Sequence, residues 1–331
     1  MTEDLWDVSR DRTRASQEFP FQSVNPQLLF SFMKITDSYQ RQKHTFSFEF
    51  FPPKTDEGET KLFETVRHLK ELKPSFVSVT YGAMGTTRDN TIRIVEKIKS
   101  QIGIEAAAHL TCVGHTKDDI QAVLTELHEK GIENIVALRG DPPKGQTEFK
   151  PVPNGFRYGA ELVEFIRKHP KFENAFSLAV AGYPEGHIEC PDKEKDLQHL
   201  KEKVGRGADV VITQLFFNNS DFFNFVARCR KIGIKIPIVP GIMPVTHGAQ
   251  IKRFASMCGA SIPKVIEGAI QKFGEDQASV EAFGIEYTTK QCQELLQNNS
   301  PGIHFYTLNK SHATERIYKN LDLASTVAKN N

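Results

Sequence analysis

Five cysteines, Cys112, Cys190, Cys229, Cys258 and Cys292, are scattered over 331 residues with no C-x-x-C pair. Their odd number argues against a closed disulfide framework and their spacing against a zinc site, so a reducing, cytoplasmic compartment is expected. No apolar run approaches the length of a membrane span, and Met1 to Arg14 lacks the basic-then-apolar order of a signal peptide. Lys and Arg total 42 against 41 Asp and Glu, a formal charge of +1. That leaves neither a basic nucleic-acid surface nor an acidic tail. No G-x-G-x-x-G follows a strand, which removes the dinucleotide fingerprint of a Rossmann unit. The stretch from Gly140 to Thr147 has phosphate-loop glycine spacing, but Gln146 stands in place of the lysine and two prolines remove backbone donors. A better phosphate candidate is Gly82 to Arg88, a glycine-containing loop that opens a helix.

What is present is a repeating alternation. Hydrophobic residues make up 39% of the chain and charged ones 25%, the balance of a globular protein with a large core. Residues 1–25 are polar and aperiodic. Asn25-Pro26 opens a predicted helix to about Gln40, so residues 1–40 read as an N-terminal arm and helix. Strand-like runs then recur at 45–51, 75–81, 105–111, 134–139, 176–183, 208–216, 235–240 and 303–308. Helical patterns fill the intervals near 57–72, 89–101, 117–130, 159–169, 192–205, 219–232 and 247–258, with two more, 262–273 and 277–298, before the last strand. Several strands, such as Asn134 to Leu138, are apolar on both faces, as parallel strands covered by helices are. Strict alternation predicts an α/β fold. Eight similar strands without an obvious reversal of order favour a TIM-type (β/α)8 barrel over residues 41–325, carrying an extra N-terminal helix and additional helices before the last strand. The Pro- and Gly-rich stretch from Pro142 to Gly155 is long enough for an active-site loop.

Barrel chemistry collects at the C-terminal strand ends. Here these are Glu49, Thr80-Tyr81, His109, Arg139-Gly140-Asp141, Tyr183, Gln214, Pro240-Gly241 and Tyr306-Thr307. The set has no lysine placed for a Schiff base and lacks the His/Asp/Glu density of a metal-dependent hydrolase, so no metal is expected. It suits a large, flat, heteroatom-rich ligand. Glu49 lies in Phe46-Ser-Phe-Glu-Phe-Phe-Pro-Pro53, and an ionised carboxylate among phenylalanines is costly. It is therefore paired, protonated for a reason, or not buried. His109 is a core histidine or a functional one, Arg139 and Asp141 an ion pair and turn or a ligand contact. Gln214, read as a fully buried amide, needs up to four partners.

Nine segments, in order, carry a resemblance. They are Ser47 to Pro53, Val79 to Tyr81, His109 to Thr111, Ala137 to Pro142, Ala181 to His187, Asp196 to Lys203, Ile212 to Phe217, Pro240 to Pro244 and His304 to Asn309. Together they resemble the catalytic domain of methylenetetrahydrofolate reductases. The resemblance implies a flavoenzyme in which NADH or NADPH reduces bound FAD and 5,10-methylenetetrahydrofolate then takes the hydride, giving 5-methyltetrahydrofolate. It also implies a homo-oligomer without nucleic-acid or membrane partners.

By the same resemblance Glu49 matches the general acid, whose pKa an aromatic strand would raise by desolvation, and Asp141 an acid near flavin and pterin. Thr80, His109, Arg139, Gly140, Gly159, Tyr183, His187, Asp196 and Lys203 match flavin contacts. Gln214, Gln250 and Phe254 match groups around folate and nicotinamide. Lys310 replaces the usual Arg and would meet the folate glutamate as a point charge. The sequence ends near Asn331, soon after the eighth strand, so the C-terminal regulatory domain of larger relatives is expected to be missing. A flavin-free folate-binding transferase or lyase, and a non-catalytic folate or flavin binder, are the competing readings.

Overall fold

The structure is a computed structural model that describes residues 34–81, 86–142, 145–146 and 148–321. Gly82 and Gly85 of the phosphate candidate, and the predicted helix before residue 34, lie outside these.

All strands pair in parallel. In chain order they are β1 (Thr45–Phe50), β2 (Phe76–Val79), β3 (Ala106–Thr111), β4 (Asn134–Leu138), β5 (Ser177–Gly182), β6 (Val210–Thr213), β7 (Ile238–Val239), β8 (Gly241–Ile242) and β9 (Gly302–Tyr306). Each of β1 to β6 bonds to the next, β6 to β7, β8 to β9, and β9 back to β1. β7 and β8 are halves of one stave. Pro240 between them has no N–H to offer the ladder, while its carbonyl still accepts from His304 N at 3.0 Å. Counted through Pro240, eight staves close a barrel.

The predicted helices form as α1 (Ile35–Arg41), α2 (Asp56–Lys70), α3 (Thr86–Lys97, continued by a π-turn over Ile98–Ile102), α4 (Lys117–Glu129), α5 (Gly159–Lys168), α6 (Lys193–Gly205), α7 (Asn219–Lys231), α8 (Gly248–Cys258), α9 (Lys264–Phe273) and α10 (Gln277–Gln297). Their starts are written locally. Thr116 and Asp119 form a reciprocal capping box for α4, and Asp192 accepts from Glu194 N and Lys195 N to open α6. One helix was not foreseen. α11 (His312–Asn320) follows the last strand and buries Ala313 and Ile317, a helical spacing visible in the sequence.

The period of two along each strand sorts residues between two cores. Phe46, Phe48 and Phe50 point out into the helix layer with Leu62, Val66 and Leu69. Inside, Phe76, Ala107, Val136, Ala179, Val210 and Val239 fill the N-terminal end of the barrel beneath Ile35 and Tyr39 of α1. Ile35 N donates to Asn134 Oδ1 (2.8 Å), whose amide donates to Glu105 Oε1 (2.9 Å), which also pairs with Lys99 at 3.0 Å. This plug closes one end of the barrel. Toward the other end Glu49, His109 and His304 meet.

Candidate active site

The same alternation corrects the reading of Glu49 as a carboxylate among aromatic rings. The phenylalanines beside it in sequence face the helices, whereas Ser47 and Glu49 face the barrel interior. There Glu49 Oε2 lies 3.3 Å from His304 Nε2 and 3.2 Å from His109 Nε2. The His109 nitrogen is at ion-pair distance but has no aligned hydrogen-bond partner among the described residues. His304 Nδ1 in turn lies 2.7 Å from Ser47 Oγ. Burial opposes ionisation of Glu49, yet the charge of His109 beside it and the hydrogen bond with His304 outweigh it, holding the carboxyl down at about 2. The expected upward shift by desolvation is thus reversed, because the interior layer around Glu49 carries two imidazoles. Glu49 is paired.

Above this layer Tyr306 donates its hydroxyl to the Thr213 carbonyl at 2.6 Å. Burial and the nearby Glu49 charge raise that phenol well above its ordinary value. Gly241 makes room for the contact: a Cβ there would overlap the Thr213 carbonyl and sit 2.6 Å from Tyr306 Oη. Its N–H donates to Thr213 Oγ1 at 3.0 Å. Past β9 the chain turns through Leu308 and Asn309, both with positive φ (52° and 58°), a strained pair for side chains with a Cβ. Asn309 offsets this by accepting from Phe51 N (2.8 Å) and donating to Phe51 O (2.9 Å), and Thr307 Oγ1 donates to Glu49 O at 2.6 Å. The end of β9 is thereby tied to the Glu49 strand.

A second cluster surrounds the ends of β4 and β5. Arg139 forms a two-pronged pair with Glu189 (2.6 and 2.7 Å) and lies over the Phe149 ring. Gly140, at φ +85°, packs where a Cβ would meet Val113, and Gly159 at the start of α5 lies close against Arg139 N. Asp141 is exposed and within electrostatic reach of Arg139 and Tyr183. Tyr183 is raised by burial and by the Asp141 charge, and stacks edge-on with His187 at 4.5 Å. Burial and then the Arg139 charge lower the His187 imidazole, and the backbone N–H of His187 donates to Asp196 at 3.2 Å. Lys203 donates to Ala181 O (2.7 Å); burial pulls its ammonium down to about 8, with Asp196 partly offsetting this. Thr80 is half-buried at the end of β2, its carbonyl accepting from Thr91.

The structure therefore brings together Arg139, Gly140, Asp141, Gly159, Tyr183, His187, Asp196 and Lys203. It sets His109 with Glu49 instead. Gln214 is half-buried rather than fully buried, since it stands at the open end of β6, and its Oε1 accepts from Leu215 N at 2.9 Å. Gln250, Phe254 and Cys258 recur every four residues along α8, and Cys258 is within electrostatic reach of Asp141 and Tyr306. Lys310 is exposed just after Asn309. Sequence reasoning missed Ser47, His304 and Glu189 as site residues and had Tyr306 only as a strand end. The signal for the histidine and tyrosine was the alternation His304-Phe305-Tyr306, which puts both on the Glu49 face. Glu189 had none, because its pairing depends on the fold of the β5–α6 loop.

A profile of the family described as methylenetetrahydrofolate reductase matches residues 34–322. The protein named methylenetetrahydrofolate reductase (NADH) 1 from Arabidopsis thaliana is 39% identical over 299 residues, covering 88% of this chain and 50% of its own length. The chain thus spans about half the length of that relative. The 5,10-methylenetetrahydrofolate reductase of Escherichia coli (strain K12) is 38% identical over 271 residues, covering 82% of this chain and 88% of its own. Among solved structures, a protein from Clostridium thermocellum, described as binding two copies of 5-methyl-5,6,7,8-tetrahydrofolic acid, superposes with a TM-score of 0.59 at 14% identity. That match covers 89% of this chain and 100% of the other, and concerns the fold.

Proposed function

The chain belongs to the methylenetetrahydrofolate reductase family, and on that premise we propose that it reduces 5,10-methylenetetrahydrofolate to 5-methyltetrahydrofolate with NADH or NADPH as reductant and FAD as resident carrier. The observation that carries the reading is the buried Glu49 carboxylate between two imidazoles, at the open end of a barrel whose other end is plugged.

The residues fit a flavin dinucleotide. Arg139, His187 and Lys203 form a donor set for a diphosphate and its sugar hydroxyls, and Asp196 supplies an acceptor. The backbone at Gly140 and Gly159 lies where added side-chain atoms would crowd Val113 and Arg139. When bound, FAD supplies a two-electron carrier that takes hydride from a reduced nicotinamide and gives it to the one-carbon unit.

The protein's part in the folate half-reaction is proton delivery. Opening the five-membered ring of the substrate requires a proton on its bridging nitrogen. The imidazoles beside Glu49 hold its carboxyl down, so the acid is assigned to the Glu49–His304–His109 cluster as a whole. Ser47 fixes the orientation of the His304 ring through Nδ1. Asp141 adds a negative charge that favours the cation developing at the one-carbon centre. Gln214 is suited to the pterin edge, Gln250 and Phe254 to the ring faces, and Lys310 to the glutamate tail.

The test separates the half-reactions in Glu49→Gln. Folate reduction is expected to fall by about 10²–10⁴, the ordinary worth of a positioned acid, while bleaching of the yellow protein by NAD(P)H without air stays near wild type. Equal loss of both half-reactions, or a colourless protein that cannot be reconstituted with FAD, overturns the proposal.

A further inference from the structure

We infer that α10 is a strut for the proposed folate site, and that Tyr287 and Gln291 on it are positioning residues that hold Gln214 in place. The inference rests on the reading of Gln214 as a contact to the pterin edge.

The need for a strut arises where β6 ends. Leu215, Phe216 and Phe217 follow Gln214 and are buried, so their backbone carries polar groups away from both water and the sheet. The Phe216 ring stacks on Phe222 at 5.3 Å, while Phe217 packs with Met243 and Val245. α10 supplies the missing partners. Tyr287 Oη donates to Phe217 O at 2.6 Å, and Gln291 Nε2 to Phe216 O at 3.2 Å. Asn219, the first residue of α7, donates its amide to Gln291 O (3.0 Å) and to Glu294 Oε2 (2.7 Å). Tyr287, Gln291 and Glu294 stand at i, i+4 and i+7, so one face of the helix makes all four bonds.

The first half of α10 does the same for the loop that leads into α8. Gln277 donates to Thr246 O, and Gly284 lies so close to Val245 O that a Cβ there would overlap it. α8 carries Gln250 and Phe254. One helix of 21 residues, roughly 30 Å long, thus braces both loops next to the residues proposed to meet folate and nicotinamide.

The β6–α7 loop in turn sets the amide of Gln214. Its Oε1 accepts from Leu215 N at 2.9 Å, which leaves Nε2 without a hydrogen bond among the described residues. That NH2 is the group available to donate to a heteroatom ring. Without the Tyr287 hydroxyl, Phe217 O is buried and unpaired, and relief comes from a shift of the loop that carries Leu215 N with it. The amide then loses its orientation with no change in the side chains proposed to meet the ligand.

The test is a double-mutant cycle on the full chain, read through the two half-reactions. Tyr287→Phe keeps the ring and removes the hydroxyl. The apparent Kd of 5,10-methylenetetrahydrofolate for the reduced enzyme is expected to rise about tenfold, the scale of an unpaired buried carbonyl. The limiting rate at saturating folate, and flavin reduction by NAD(P)H, should stay near wild type. Gln291→Met should act in the same direction, and Lys290→Ala, on the exposed face, should change nothing. In a Gln214→Ala background Tyr287→Phe should weaken folate no further, because both act through one amide. Circular dichroism checks that each variant is folded. If Gln214→Ala itself leaves folate affinity unchanged, the reading of Gln214 fails and the inference falls with it. If Gln214→Ala weakens folate but Tyr287→Phe does not, or the two losses multiply, or Tyr287→Phe slows both half-reactions alike, the strut alone is overturned.

Discussion

His304 stands between Ser47 and Glu49, its Nδ1 2.7 Å from the serine hydroxyl and its Nε2 3.3 Å from the carboxylate. The pairing of β1 with β9 brings this about by setting Ser47 directly opposite His304. Replacing the ring by His304→Asn removes the bridge while keeping a polar group. Folate reduction is expected to fall roughly 10²-fold, as for loss of a proton-transfer partner, with flavin reduction by NAD(P)H little changed. Rapid-mixing measurement of the two half-reactions checks this, and the pH profile of the folate step should shift in the variant. A merely structural His304 would slow both steps alike.

Gly241→Ala tests the close approach of β8 to its neighbours. The new methyl would overlap the Thr213 carbonyl and crowd Tyr306 Oη, and backbone cannot swing aside as a flexible side-chain end can. A loss of about 2–3 kcal/mol is expected, the upper part of the overpacking range. Urea denaturation followed by circular dichroism measures it. Tyr306→Phe added to Gly241→Ala should recover only part of the loss, since the carbonyl overlap remains.

Much of the barrel was legible because its signals are local. The doubly apolar run Asn134 to Leu138 marks a covered parallel strand, and Thr116 with Asp119 marks a helix start. What escaped depends on closure and parity. Whether Glu49 sits among phenylalanines is a question of which face each residue takes, and only the ring closed by β9 supplies His304 as its partner. Arg139 reads as half of an ion pair or as a ligand contact, and its ion-pair partner Glu189 lies fifty residues on, in a loop without periodicity. The raised pKa expected for Glu49 failed for the same reason: it counted sequence neighbours in place of neighbours across the barrel.

The depressed Glu49 carboxyl has a pH signature. Its folded value, about 2, lies below the ordinary 4.5, so its stabilisation is fully present above about pH 4.5 and is lost as pH falls toward 2. The shift corresponds to stability on the order of 3 kcal/mol. Glu49→Gln has no such titration. The difference in urea-unfolding free energy between wild type and variant should therefore shrink between pH 5 and pH 3.

Glu189→Gln probes the clasp on Arg139. Both side chains are partly exposed, so the pair should contribute no more than about 1 kcal/mol to stability. Its effect on ligand binding is expected to be larger. Removing the carboxylate leaves the guanidinium unneutralised for an anionic ligand, and FAD affinity should rise several-fold, with a steeper salt dependence. Equilibrium dialysis of FAD at two ionic strengths reads both. Weaker binding in the variant would instead mean that Glu189 holds Arg139 in position.

Under the proposed flavin site, Lys203 is expected to make flavin binding depend on alkaline pH. Burial lowers its ammonium from 10.5 to about 8, so folding disfavours the charged form. The resulting penalty is complete below about pH 8 and fades between 8 and 10.5, where the wild type gains stability relative to Lys203→Met. If the ammonium meets the diphosphate of FAD, affinity should be flat below pH 7 and fall as pH rises through 8, approaching tenfold per unit. Lys203→Met should bind more weakly at pH 7 and lose the pH dependence. Fluorescence titration of FAD into the apoprotein from pH 6 to 9.5 measures both. An unchanged pH dependence in Lys203→Met would remove Lys203 from the flavin site.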